Sequence, residues 1–513
     1  MTKRLFLLIV LLAAVLASPW AVPAEAAKDK VVVAFGSNIP TLDPHMHSSR
    51  LAHIPDYHLY DTLLYRSPQD NYKPGPCLAT SWKALNPTTW ELKLRQGVKF
   101  HNGEPFNAEA VKFTLDRILD PATKSVTRGN FTWIKEVKPV DEYTVQLLTG
   151  KPFPAAPEFL TLAYIVPPKY MKSAGPEEFS RKPVGTGPYK FVEWRKAEHL
   201  IVEAIGGYWK DSPKGMPQVK TIIFRTIPET TTQIAELLSG GVDIIRNVPP
   251  DQIAVVKGSS AATVSATKIL RVNSLMMDNS GRAGSSPLTN VKVREAIAHA
   301  INVDEMLKTI LGGYAERTAT GVNPLHFGFD PSVKPTPYDP ARAKKLLAEA
   351  GYPNGFEVPF STYSGSITSV DQMADAIAGY LAKVGIKAKR RHIEDVGLWT
   401  KMGQEGKMDG IQYYSWGSNS IFDADAILYA LHYSKEPLSY TKDPSLDQLL
   451  DAGRTSVDPK KRLEAYAKAQ RLIHDKYYWV PINVQYTIEG VNKGLNYEAS
   501  SDEMMRVYRA SWK

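Results

Sequence analysis

Cysteine is all but missing from this chain: Cys77 is the only one in 513 residues. No internal disulfide can form, and paired-cysteine metal or redox motifs are excluded with it. A lone cysteine of this kind reads as a small buried apolar residue rather than a nucleophile. Long apolar runs are also missing, except at the start. There Lys3 and Arg4 precede an apolar stretch, 5–17, too short for a comfortable membrane span, and Ala24-Glu25-Ala26 follows as a small-x-small cleavage site. Residues 1–26 therefore read as a cleavable export signal, and with no cysteine near that site a lipid anchor is not expected. Basic blocks are absent. The net charge of +9, or +8 once residues 1–26 are removed, is spread over the whole chain, so no nucleic-acid partner is inferred.

Local catalytic signatures are lacking as well. There is no Gly-x-Ser-x-Gly elbow, no His-Glu-x-x-His, no Walker loop and no calcium loop. Triads assemble in space, so a secreted hydrolase remains an alternative, but no catalytic residue, cofactor or metal ligand is assigned. No internal repeat or low-complexity linker interrupts the chain. What is present is ordinary globular composition, 43% hydrophobic, 22% charged and 10% aromatic, in a length suited to two or three domains.

The most informative stretch covers residues 78–119. Alternation through Trp90, Leu92 and Leu94 predicts a half-buried strand. His101-Asn102-Gly103 is turn chemistry, with Gly103 free to take positive φ. Asn107 is a helix N-cap, Glu109 places negative charge in the first turn, and Val111, Leu115, Ile118 and Leu119 share one face. A second marked stretch, Pro183-Val-Gly-Thr-Gly-Pro-Tyr-Lys-Phe191, fixes a tight path before a strand. Its glycines, Gly185 and Gly187, have the wrong context for a phosphate-binding loop.

These literal residues say more than their periodicity. Leu78-Ala-Thr-Ser-Trp82, Leu94-Arg-Gln-Gly-Val-Lys-Phe-His-Asn-Gly103, Pro105-Phe-Asn-Ala-Glu-Ala-Val111 and the 183–191 segment resemble the signature of the family-5 extracellular solute-binding proteins, the periplasmic dipeptide-, oligopeptide- and nickel-binding components of ABC importers. The resemblance implies an α/β fold: a two-lobed periplasmic binding protein of type II, a Venus flytrap in the cluster with an extra small domain, its lobes discontinuous in sequence. It implies a periplasmic monomer that captures a peptide or peptide-like solute and delivers it to an ABC permease and ATPase complex at the inner membrane. Alternatives are a non-peptide solute such as an opine, a sugar derivative or a metal chelate.

The remaining chain is consistent with that expectation. Val31-Val-Val-Ala-Phe35 is a short buried strand, and Thr230 to Ser239 a helix followed by a glycine and a small strand at Ile244 and Ile245. Asn290 caps the helix that carries Val293 and Ile297, Asp339-Pro340 caps a helix ended by Gly351, and Asp458-Pro459 caps a long helix carrying Leu463, Tyr466 and Ile473. Helix, glycine and strand in succession is α/β construction. The expected division is 27–59, 183–270 and 486–513 for lobe I, 60–182 for the small domain and 271–485 for lobe II, with the chain crossing near residues 267–273.

Solute recognition is expected in residues 410–433, which resemble the family's tryptophan-glycine loop. Trp416 offers a flat apolar wall for a solute or, as an equal alternative, a ring packed into the core, and Tyr414 is a candidate beside it. In peptide-binding relatives an aspartate three residues after this tryptophan takes the peptide ammonium; here that position is Asn419, which carries no charge. Asp423 and Asp425 are the candidate substitutes, although Asp423 also suits a helix cap. His45, His47, His53 and His58 crowd together at spacings of 2, 6 and 5, which do not put metal ligands on one helical face at i, i+4. His47 and His53 are therefore expected to line the pocket, and no metal is assigned.

Overall fold

The computed structural model describes residues 29–365, 367–417 and 420–513. The export signal and Asn419 lie outside the described residues.

An eleven-stranded sheet runs through the molecule. At one end, Tyr189–Arg195, His199–Ala204, Thr221–Thr226, Lys30–Phe35 and Ile244–Ile245 lie side by side. At the other end lie Ile411–Trp416, Phe356–Tyr363 and Ile386–Ile393. Two long antiparallel strands, Ala262–Met277 and Trp479–Asn492, join the ends, and the short Ala315–Arg317 pairs with the second of them. Lys30–Phe35 is parallel to both neighbours, as is Phe356–Tyr363. Parallel strands are covered on both faces, and Lys30–Phe35 shows why its sequence is continuously apolar. Val31, Val33 and Phe35 enter one buried cluster, while Val32 and Ala34 enter another on the opposite face.

The long pair serves two cores. Leu275, Met276, Val480 and Ile482 belong to a large cluster with the helices Val291–Ala300, Pro340–Glu349 and Pro459–Asp475, whereas Ala262 and Ile488 pack with Val32 and Leu237. Between these halves the ladder slips. Pairing runs from Ala262 opposite Asn492 to Lys268 opposite Tyr486 and resumes at Val272 opposite Val484. The freed backbone groups find other partners: the Leu270 N–H donates to Ser501 O at 3.1 Å, and Asn323 donates to Ile269 O at 2.8 Å. Such an irregularity bends a strand and localises twist.

A separate four-stranded antiparallel sheet is built from Ala79–Asn86, Thr89–Leu94, Thr144–Thr149 and Ile134–Asp141. The helix Ala108–Leu119 covers it, burying Val111, Leu115 and Ile118. Asn107 caps that helix by accepting from the Glu109 and Ala110 N–H groups at 3.1 and 3.3 Å. The two marked sequence stretches meet: His101 Nε2 donates to Gly187 O at 2.9 Å, and Nδ1 accepts from Gly185 N–H at 3.3 Å. A Cβ on Gly185 would stand 2.0 Å from Leu59 O, and one on Gly187 2.3 Å from His58 O. Close backbone approach thus accounts for both glycines. In Pro459–Asp475, Tyr466 and Ile473 face the core while Leu463 is exposed.

Candidate functional site

The strand Ile411–Trp416 ends with Trp416 opposite Val272, at the slip in the long ladder. The chain that follows therefore leaves the second lobe where the two halves of the sheet meet. Ser420 Oγ accepts from Arg50 Nη1 at 2.6 Å and donates to Asp502 O at 2.8 Å. Phe422 stacks on Tyr72 with ring centroids 4.9 Å apart, and the Arg66 guanidinium lies 5.1 Å from the same ring. Ile421 and Ala426 pack with Phe153 and Phe159 of the small domain. One loop of the second lobe thereby touches the helix Arg50–Leu59, the C-terminal segment and the small domain.

Behind this loop lies a buried cluster of charge. Arg271, from the slip itself, donates through Nη2 to both Glu503 oxygens at 3.3 Å, and Nη1 reaches Ser415 Oγ at 3.4 Å. Arg50 Nε is 3.7 Å from Glu503. Burial raises the Glu503 pKa, but the positive charges of Arg271, Arg50 and Arg246 outweigh it and hold the carboxyl below its ordinary value. Glu489 accepts from Tyr497 Oη at 2.6 Å, and burial pushes its carboxyl up against the opposing pull of Arg246. Three guanidiniums thus face two carboxylates, leaving net positive charge between the lobes. The Nε groups of Arg50, Arg246 and Arg271 are buried, and none has a hydrogen-bond acceptor. Gly417 closes over the pair: a Cβ there would lie 3.0 Å from Glu503 Oε1 and 3.3 Å from Arg271 Nη2.

Aromatic rings flank the charge. Tyr414 stacks with Trp416 at 6.1 Å and Trp399 at 6.3 Å, and meets Trp479 edge-on at 5.7 Å. Trp416 is half-buried, and its indole N–H donates to Ala426 O at 3.1 Å, so only its ring is left for a solute.

The two aspartates expected to hold an ammonium are placed otherwise. Asp423 is gripped by Arg462 Nη2, 2.9 Å from each oxygen, and accepts from the Asp425 N–H at 3.0 Å. Asp425 takes Arg454 Nε at 2.8 Å and Nη2 at 2.7 Å. Both carboxylates are buried and matched by arginines of their own lobe, so neither is free to bind a solute ammonium. Sequence gave no sign of these partners, which stand 29 and 39 residues away.

The histidines divide. His45 is buried between Tyr164 O and Arg117; burial, reinforced by the Arg117 charge, pushes its pKa down to about 4. His58 donates to Ile54 O at 2.8 Å inside an aromatic cage, and burial pushes it down to about 3. His47 and His53 instead converge with Asp56, their rings 4.6 Å apart. The spacing among the histidines does not show this group, because its third member is an aspartate, three residues after His53 on the same helix. Sequence reasoning also missed Arg50, Arg246, Arg271, Glu489 and Glu503. Only Arg271 carried a local signal, a lone charge within the apolar crossing stretch Ile269-Leu270-Arg271-Val272.

The chain and its fold have counterparts among known proteins. The family model described as bacterial extracellular solute-binding proteins, family 5 Middle, matches residues 73–437. The glutathione-binding protein GsiB of Escherichia coli (strain K12) is 30% identical over 483 residues, covering 92% of each chain. Its counterpart from Shigella boydii serotype 4 is 31% identical, also covering 92% of each. Among solved structures, the periplasmic binding protein DppA from Helicobacter pylori, in complex with the peptide STSA, has a TM-score of 0.82 at 27% identity, covering 95% of this chain and 98% of that one. The agropinic-acid complex of AgaA from A. tumefacien R10 has a TM-score of 0.79 at 24% identity, covering 94% and 99%, a likeness of fold.

Proposed function

This chain belongs to the bacterial extracellular solute-binding proteins of family 5, and we propose that it captures a carboxylate-bearing peptide or peptide-like solute between its lobes for an ABC permease and ATPase complex. One observation carries the choice of solute: three half-buried arginines around Glu503 each retain a buried Nε without an acceptor. A buried unpaired donor is costly, and a carboxylate is the group that arginine pairs with best. Of the named relatives, GsiB is a glutathione-binding protein and DppA is in complex with a peptide, and both solutes carry carboxylates.

A second reading, a carboxylated non-peptide solute, is favoured by the engagement of Asp423 and Asp425 with arginines, which leaves no free acidic anchor for an ammonium at these positions. On either reading Tyr414 and the Trp416 ring form an apolar wall and His47 and His53 lie along the lobe I side; the role of Asn419 is proposed from sequence alone. The role is capture, with no bond-making step. The domain bounds proposed are those from sequence: 27–59, 183–270 and 486–513, 60–182, and 271–485. The slip between Lys268 and Val272 supports the crossing near 270. No helix among the described residues is long and apolar enough to cross a membrane. Export by a cleaved signal over 1–26, without a lipid anchor, completes the proposal.

Calorimetric titration tests it with glutathione and the peptide Ser-Thr-Ser-Ala, each as free acid and as carboxamide. At least one free acid should bind, and its carboxamide at least tenfold more weakly. Equal affinity for acid and carboxamide would remove the anion site; binding of neither peptide, but of a carboxylated opine, would leave the second reading.

A further inference from the structure

The helix Arg50–Leu59 places His53 and Asp56 on one face, one turn apart, and the loop before it brings His47 to the same point. Asp56 Oδ2 lies 3.0 Å from His47 Nε2 and 3.1 Å from His53 Nδ1, and one ligand atom from each residue falls within 4.8 Å of the others. Asp56 is fully buried and His47 is 5% exposed. Yet neither ring nitrogen of His47 makes a hydrogen bond, although one lies 3.0 Å from the carboxylate, and Asp56 Oδ1 has no hydrogen-bond partner. Buried polar atoms are nearly always satisfied, so a histidine nitrogen and a carboxylate oxygen left open side by side call for a partner that answers both.

We propose that His47, His53 and Asp56 form a binding site for a divalent transition metal in the wall of the first lobe. Two imidazole nitrogens and one carboxylate oxygen are the donor set of borderline cations such as zinc, cobalt and nickel. The carboxylate oxygen stands 3.0 Å and 3.1 Å from the two imidazole nitrogens, separations that metal–ligand bonds of about 2.0–2.1 Å can span. The Asp56 carboxylate supplies the anionic charge, and its position between the two rings lets one ion answer the open valences of both His47 and Asp56. His53 is the most exposed of the three, with 16% of its side chain accessible, so the remaining coordination position opens on its side and takes water. His53 also stacks on Tyr164 at 5.8 Å, which fixes its ring plane. Arg50, one turn earlier on the same helix, makes the contact to Ser420 of the second lobe, so the site adjoins the cleft without using the anion cluster. The inference does not depend on the identity of the solute.

The test uses the exported chain without a histidine tag, stripped by dialysis against a chelator and titrated with zinc chloride or nickel chloride alone. The expected result is one ion per chain, counted by elemental analysis, with affinity lowered at least tenfold in His53→Gln and in Asp56→Asn and unchanged in His199→Gln. Sub-stoichiometric heat in the unmodified chain, or equal affinity in all variants, overturns the proposal. Thermal unfolding of each stripped variant checks the fold. Cobalt provides a readout that needs no variant: bound at this site, it should show visible bands stronger than and shifted from those of aqueous cobalt. An unshifted aqueous spectrum at saturating protein overturns the proposal equally, leaving a histidine–aspartate hydrogen-bond network in its place.

Discussion

Arg271→Gln isolates the proposed anion contact. The side chain rises from the slip in the long ladder, touches both Glu503 oxygens at 3.3 Å and keeps its Nε without an acceptor. Glutamine is shorter and neutral. Glu503 retains Arg50 at 3.7 Å and the field of Arg246, so the carboxylate is not stranded. The fold should therefore lose less than the ~3–5 kcal/mol of a fully broken buried pair. A hydrogen bond to a charged group contributes about 1.5–3 kcal/mol net, so affinity for a carboxylate solute should fall roughly 10- to 150-fold. The clean measurement is a cycle: native chain and variant, each titrated calorimetrically with glutathione and with its carboxamide, beside denaturant unfolding without solute. If Arg271 holds the carboxylate, the variant loses affinity for the acid and little for the amide. A coupling energy below about 0.5 kcal/mol, the error of such cycles, refutes the assignment. Equal losses for both solutes would show that Arg271 shapes the cleft without contacting the anion.

Four further outcomes are expected. Gly185→Ala places a Cβ 2.0 Å from Leu59 O, where backbone cannot retreat, and should cost about 3 kcal/mol or more of stability in urea unfolding; a loss under about 1 kcal/mol would mean the contact relaxes. Asp425→Asn leaves the half-buried Arg454 without its carboxylate and should cost about 1.5–3 kcal/mol while solute affinity per folded molecule holds, and a selective loss of affinity would return Asp425 to the solute. Burial pushes His45 and His326 down to about 4 and His58 and His432 to about 3; the unfolded chain binds more protons between these values and 6.5, so stability should fall as pH drops through that window, by about 2 kcal/mol per site at pH 5. His58→Gln should flatten the slope of unfolding free energy against pH, and an unchanged slope would place that proton uptake elsewhere. Small-angle scattering should give a smaller radius of gyration with bound solute than without, and an unchanged radius at saturation would exclude hinge closure.

Local chemistry was legible where one residue acts on its neighbours. Asn107, Asn290, Asp339 and Asp458 cap helices as their spacing predicts, and Gly240, Gly351 and Gly385 take positive φ where helices end. The apolar run at Val31 to Phe35 announced a strand buried on both faces. The site was less legible because it is made of distant pairs. Arg271 meets Glu503 across 232 residues and Arg50 meets Ser420 across 370, and no periodicity encodes such contacts. The His47–His53–Asp56 cluster was missed for a different reason: spacing was weighed among histidines alone, whereas one turn of helix links a histidine to an aspartate.

The slip in the ladder and the anion cluster coincide, and this has a mechanical consequence. Pairing of the two long strands is unbroken up to Lys268 and, past a second one-residue shift between Asn273 and Ser274, resumes to Met276, so rotation of one lobe against the other concentrates between residues 268 and 274. On the proposed reading Arg271 sits at the join about which the lobes turn, while Arg50 meets Ser420 and Tyr72 meets Phe422 across the lobes, contacts that opening would part. A ligand shifts such an equilibrium only by its difference in affinity for the two states. On the proposed reading, a carboxylate reaching Arg271 and Arg50 together supplies that difference, because separated lobes offer it one guanidinium at a time. A neutral analogue can enter the cleft and stack on Trp416 without holding the lobes together. The selection for an anionic group then acts on closure rather than on entry, and it is the closed form that an importer can distinguish from the empty protein.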